Sequence, residues 1–133
     1  MADSWDQAML AYADKAVEYA REKHARTLDF SGASIEALDE IAEEVNVGLM
    51  SGAVMPPAEL DSLSKVIGGY FGEVIRRQKG GTWGVHPEQQ ALGLQFGEGK
   101  WIFPPSKAHK RLIDGRDHNL VEFYQVVMAK LGG

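Results

Sequence analysis

The 133-residue chain contains no cysteine. That absence excludes a disulfide scaffold, thiolate zinc sites, iron–sulfur ligation and cysteine nucleophiles together. No apolar run approaches the ~20 residues that a bilayer-spanning helix needs. The amino terminus, Met1-Ala2-Asp3-Ser4-Trp5-Asp6, is acidic and polar, the opposite of a signal peptide. What is present is 44% hydrophobic and 25% charged, the balance of a folded globular protein. A single cytoplasmic domain over residues 1–133 is the expectation.

The net charge of −5 is unevenly spread. Residues 1–66 carry 13 Asp/Glu against 5 Lys/Arg, a balance of −8, and residues 67–133 carry 6 against 9, a balance of +3. An acidic half of that size disfavours nucleic acid and anionic membranes, which repel carboxylates. It favours a basic partner, or the chain's own basic half. A solvated helix face that keeps the protein soluble is the ordinary alternative.

Hydrophobic periodicity predicts three helices first. A capping box at Ser4 and Gln7 opens a helix to about His24, with Leu10, Ala13, Val17 and Ala20 as its apolar stripe and enough alanine to lie close against a neighbour. Ser31 or Ser34 caps a second helix. It sets Ile35, Leu38, Ile41, Ala42 and Val45 on one face and Glu36, Asp39, Glu40, Glu43 and Glu44 on the other. After a loop over 48–56, Pro57 opens a third helix with a strong apolar period to about Lys79. Gly68, Gly69 and Gly72 interrupt it, each at a cost of up to ~1 kcal/mol relative to alanine. The three are expected together on the flank opposite the stripe, against a second backbone. The helix is then buried on two sides and central.

Gly80-Gly81 ends that helix, and the period changes to two. Thr82–His86, Ala91–Phe96 and Lys100–Phe103 read as short strands, with Gly97-Glu98-Gly99 as a tight hairpin loop. Pro104-Pro105 leads into a short helix over Ser106 to Ile113. Asn119, with Glu122 three residues on, caps a last helix striped by Leu120, Phe123, Tyr124, Val127 and Leu131. The expected fold is α+β: three N-terminal helices, a three-stranded antiparallel meander and two C-terminal helices.

Chemistry is sparse. The histidines, His24, His86, His109 and His118, show no i, i+4 pair and no zinc motif, so no metal is expected. There is no GxSxG elbow, and the serines cluster at helix starts, where capping explains them. The Gly68-Gly69-Tyr70-Phe71-Gly72 run lies inside a helix and cannot cradle phosphate, and no cofactor is expected. Glu73 flanks the apolar stripe with Arg77 one turn on, at ion-pair spacing, and with Trp83 and Trp101 it makes a candidate pocket. Arg76, Arg77, Lys79, Lys100, Lys107, Lys110 and Arg111 form a candidate basic patch. The two tryptophans would be its stacking surfaces if single-stranded nucleic acid were the partner. Core packing is the usual role of tryptophan in a half-buried sheet.

Gly69-Tyr70-Phe71-Gly72-Glu73-Val74-Ile75-Arg76-Arg77, followed by Gly80-Gly81-Thr82-Trp83, resembles a bacterial family of uncharacterised domains, domain of unknown function 3806. Leu28-Asp29-Phe30-Ser31, Phe103-Pro104-Pro105, Lys110-Arg111-Leu112 with Gly115, and Leu120-Val121-Glu122-Phe123-Tyr124 extend the resemblance over roughly residues 28–128. The resemblance implies no catalytic residue. By analogy of size, charge and bacterial distribution, and not by a motif, such small acidic domains resemble immunity proteins, which bind and silence a cognate toxin.

The sequence therefore points to a non-enzymatic protein-binding domain, an immunity-type inhibitor that meets a basic partner, a cognate toxin, through Glu36, Asp39, Glu40, Glu43 and Glu44. Those carboxylates are expected to point outward and, lacking basic neighbours, to repel one another. A small enzyme or ligand-binding domain built on Glu73, Arg77, Trp83 and Trp101 is the alternative, and a weak nucleic-acid binder the third reading. Membranes are not an expected partner, and the oligomeric state is left open. If the acidic face is only a solubilising surface, the region to search next is Trp83, Trp101 and the Lys107–Arg111 helix.

Overall fold

The computed structural model describes residues 3–132. Three helices, α1 (Asp3–His24), α2 (Ser34–Met50) and α3 (Pro57–Lys79), precede the strands β1 (Thr82–Val85), β2 (Leu92–Gln95) and β3 (Trp101–Ile102). Then come α4 (Pro104–Asp114), a 3₁₀ turn (Gly115–His118) and α5 (Leu120–Gly132). This is the α+β order expected from the sequence. Among the described residues no helix is long and apolar enough to cross a membrane.

α3 is the central element. Every residue from Val66 to Ile75 is buried, so the helix has neighbours on all sides along that stretch. Its glycines make the close approaches possible, but they do not share a flank. A Cβ on Gly69 would stand 3.2 Å from the Met9 carbonyl oxygen of α1, whereas one on Gly68 would stand 2.5 Å from the Pro105 Cα at the start of α4. Gly72 faces the Trp83 indole. Successive helical residues turn by about 100°, so Gly68 and Gly69 meet different neighbours while Gly68 and Gly72, one turn apart, look the same way.

The remaining differences are local. α1 buries Met9, Ala13, Ala16 and Ala20, a stripe turned slightly from the expected one, and the three alanines let it lie close to α3. The Ser4 side chain of the expected capping box lies outside the described residues. Neither Ser31 nor Ser34 caps α2; Ala33 holds the cap position. Ser31 Oγ instead accepts the Ser34 N–H at 3.2 Å, and Ser34 Oγ donates to the Ser31 carbonyl at 2.6 Å, closing the turn before the helix. α2 continues through Gly48 to Met50. Pro104 and Pro105 belong to α4, filling the first turn, where a missing N–H costs nothing. Asn119 does cap α5, its Oδ1 accepting the Glu122 N–H at 2.9 Å.

The strands form the antiparallel meander β1-β2-β3, each shorter than expected by one or two residues. Trp83 pairs with Leu94, and Leu94 with Ile102, and this row faces the core. Trp101 and Phe103 stand on the other face, stacked with ring centroids 6.1 Å apart, and His86 packs edge-on to Trp101 at 4.9 Å. The C-terminal pair α4 and α5 lies beside β3. That neighbourhood builds the site.

Candidate functional site

The acidic face of α2 is not a bare surface. Asp39 is buried and accepts four hydrogen bonds: Arg111 Nε at 2.8 Å, Arg111 Nη2 at 3.3 Å, Asn119 Nδ2 at 3.1 Å and the Leu120 backbone N–H at 2.8 Å. Glu43 takes Arg111 Nη2 at 2.9 Å and Arg116 Nη2 at 3.1 Å. Glu44 takes His24 Nδ1 at 2.6 Å and Arg26 Nη1 at 2.7 Å, and Glu40 takes Arg26 Nε at 3.1 Å. Only Glu36 of the five makes no ion pair among the described residues. Glu36, Glu40 and Glu44 are exposed as expected, but Asp39 is buried and the expected lack of basic neighbours is corrected: α4, the 3₁₀ turn and the α1–α2 connection bring their cations onto this face.

The chemistry of the cluster is structural. Arg111 is 1% exposed; burial alone would weaken its charge, yet the bonds to Asp39 and Glu43 hold its pKa above the ordinary value. The Arg111 bond, ahead of Arg116, keeps Glu43 below the usual carboxylate range, and His24 followed by Arg26 does the same for Glu44. Asp39 also satisfies the first N–H of α5, where a carboxylate opposes the positive end of the helix dipole. It ties α2 to both C-terminal helices.

Glu73, Arg77, Trp83 and Trp101 do not converge. Glu73 is 1% exposed and grips two arginines of its own helix, Arg76 Nε at 2.9 Å and Arg77 Nε at 3.0 Å. The Arg77 guanidinium lies 3.8 Å above the Phe30 ring, a cation–π contact that covers the start of the α2 segment. Trp83 is buried against Gly72. Trp101, on the far face of the sheet, alone lines the groove described next. Burial would raise the Glu73 pKa, but the Arg76 and Arg77 hydrogen bonds win and hold it below the ordinary value. A depressed folded-state pKa contributes stability above the unfolded value near 4.3 and loses it as the pH falls through the folded value. Glu73→Gln is expected to lower stability by about 2 kcal/mol at pH 7, for charge-assisted bonds lost from a buried site. The gap in melting temperature from the parent should begin to close as the pH falls below about 4.3 and narrow further with acid. A gap that stays constant down to acid would show that the ion pair contributes nothing.

A groove of about 780 Å³ runs between β3 and the helices α4 and α5. Trp101, Phe103, Phe123, Val127 and Leu131 give it an apolar floor and wall. Lys100, Lys107, Lys110 and Lys130 supply its charge, and no Asp or Glu lines it. Lys107 is the most enclosed: its Nζ lies 5.0 Å from the Phe123 ring and 3.4 Å from His118 Nδ1. Burial, and then the nearby Lys110, push its pKa down. Among the described residues every arginine, Arg21, Arg26, Arg76, Arg77, Arg111 and Arg116, sits in an ion pair. None of the four groove lysines does. The fold has paired its arginines and left these lysines without a salt bridge around an apolar slot.

Trp101, Lys100, Lys107 and Lys110 were legible as a basic and aromatic patch, whereas Arg76, Arg77, Lys79 and Arg111 from the same expected patch do not line the groove. Sequence reasoning missed Lys130 and His118; the outward pair Val126 and Lys130, one turn apart on the last helix, was the available signal. A second cleft, beside α3 and α4, places Ser64 Oγ 3.4 Å from His109 Nδ1. That hydroxyl donates to the Leu60 carbonyl at 2.8 Å, so it is a helix back-bond and not a nucleophile. Among the described residues no three histidine or acidic side chains converge as metal ligands. His24 is committed to Glu44, and His86 Nδ1 accepts the Glu88 and Gln89 N–H groups at 3.1 Å each. No protein-family model, curated protein or solved structure matches the chain.

Proposed function

We propose that this chain is a non-enzymatic partner-binding domain, working in the cytoplasm, whose partner protein seats in the lysine-rimmed groove between β3, α4 and α5. The observation that carries the reading is the combination of an apolar floor with four lysines that make no ion pair among the described residues. Unpaired cations around apolar surface favour an acidic partner and speed its approach. The sign is opposite to the one expected from α2, because arginines of the fold already occupy that face. Immunity-type neutralisation of a toxin is a partnership of this kind. Membership of the domain of unknown function 3806 family is part of the same proposal. Its two motif segments meet in space, since Gly72 lies against Trp83.

The test uses the product of the adjacent gene as candidate partner, with binding and rescue from toxicity as readouts. Lys107→Glu with Lys110→Glu should weaken binding by roughly a hundredfold, as charge reversal at a desolvated contact does. Glu36→Gln with Glu40→Gln should leave it unchanged. The reverse outcome would return the site to α2, and a harmless neighbour that never binds would end the immunity reading.

A further inference from the structure

On the reading that a partner protein occupies the groove, we infer that the occupant is an extended acidic segment of that partner, added to the open edge of β3 as a fourth strand. Among the described residues β3 pairs only with β2, and no strand lies on its other edge. The Phe96 N–H donates to the Lys100 carbonyl at 2.8 Å, which makes those two a hydrogen-bonded pair across the hairpin. Antiparallel ladders alternate, so Gln95 and Trp101 form a non-bonded pair and Leu94 and Ile102 a bonded one. The Trp101 N–H and C=O therefore point away from β2, towards the open edge.

The groove follows that edge. A cavity lying on one face of a strand touches alternate residues, because side chains alternate between faces. Here Lys100, Trp101, Ile102 and Phe103 all line it, with α5 forming the opposite wall through Phe123 and Val127. An added strand gains main-chain bonds from the edge and specificity from the pockets beside it. Lysine on an edge strand is also a device against unwanted pairing. Lys100 alone serves that purpose; Lys107, Lys110 and Lys130 come from α4 and α5 and give the groove a preference for carboxylates. A segment alternating acidic and apolar residues supplies both the charge and the apolar contact that this lining takes.

The probe is a blocked peptide of about seven residues alternating valine and glutamate, the length of an ordinary strand. It should bind saturably at low salt, weaken roughly tenfold or more at 0.5 M salt, and fail when glutamate is replaced by lysine. Hydrogen exchange at the Trp101 amide should slow by about tenfold or more on saturation. Only alternate N–H groups of an added strand face its template. N-methylation at one central peptide residue should therefore abolish binding, while methylation at the next residue spares it. No binding at millimolar peptide, or tolerance of both methylations with an unprotected Trp101 amide, overturns the inference. If the peptide fails while Lys107→Glu with Lys110→Glu still abolishes binding of the natural partner, the strand falls and the groove reading stands. Lysine-dependent binding of dodecanoate in place of the peptide marks a small-molecule site, and both readings fall.

Discussion

Asp39→Ala is expected to cost about 3–5 kcal/mol, the range for breaking a buried ion pair by removing one partner. The melting temperature should fall by roughly 10–20 °C for a domain of this size. The loss goes beyond one contact. Arg111 stays behind, 1% exposed, with Glu43 as its remaining carboxylate, and the Leu120 N–H and Asn119 amide lose their acceptor as well. By the same reasoning, neutralising Asp39, Glu40, Glu43 and Glu44 together should destabilise the fold, where mutual repulsion alone would have favoured the change. Pairing Asp39→Leu with Arg111→Met should recover part of the stability, because both buried charges then leave together. Chemical denaturation of the three proteins checks this. A loss below about 1 kcal/mol for Asp39→Ala would place the carboxylate among surface pairs.

Gly68→Leu should destabilise by more than about 3 kcal/mol, at or beyond the top of the usual range for overpacking. The first added carbon already stands 2.5 Å from the Pro105 Cα, 2.6 Å from its nitrogen and 2.7 Å from the Pro104 carbonyl carbon. These are backbone atoms and cannot rotate aside. Gly48 supplies the contrast. It lies within α2 and a Cβ there meets nothing within 4 Å, so Gly48→Ala should stabilise by about 0.5–1 kcal/mol through helix propensity alone. Thermal melts of both variants settle the pair. An unchanged melting temperature for Gly68→Leu would mean that α4 does not pack on α3 through this glycine.

Legibility in the sequence followed interaction range. Apolar spacing located α2, α3 and α5, and glycine and proline punctuation located the meander, because those signals are written within a few residues. The Ile35, Leu38, Ile41 and Ala42 face of α2 is buried as its period required. The opposite face was misjudged for a physical reason. The groups that bind Asp39 are 72 to 81 residues further along the chain, and no local pattern reports which helix will pack there. The groove was half visible for the same reason. Lys100, Trp101, Lys107 and Lys110 lie within one hairpin-to-helix segment, while Phe123, Val127 and Lys130 join them only through tertiary docking of α5.

The separation of cations into paired arginines and unpaired groove lysines bears on how this protein can change. Arg26 and Arg111 are fixed by geometry as well as charge, since each spans two carboxylates with its fork and a lysine there would lose one of them. Lys100, Lys110 and Lys130 make no ion pair among the described residues, so replacing them removes no internal salt bridge. Mutational drift can therefore re-tune what the groove accepts, cation by cation, while the melting point stays almost still. A lineage of such domains would diverge in partner choice along the groove and hold its arginines in place.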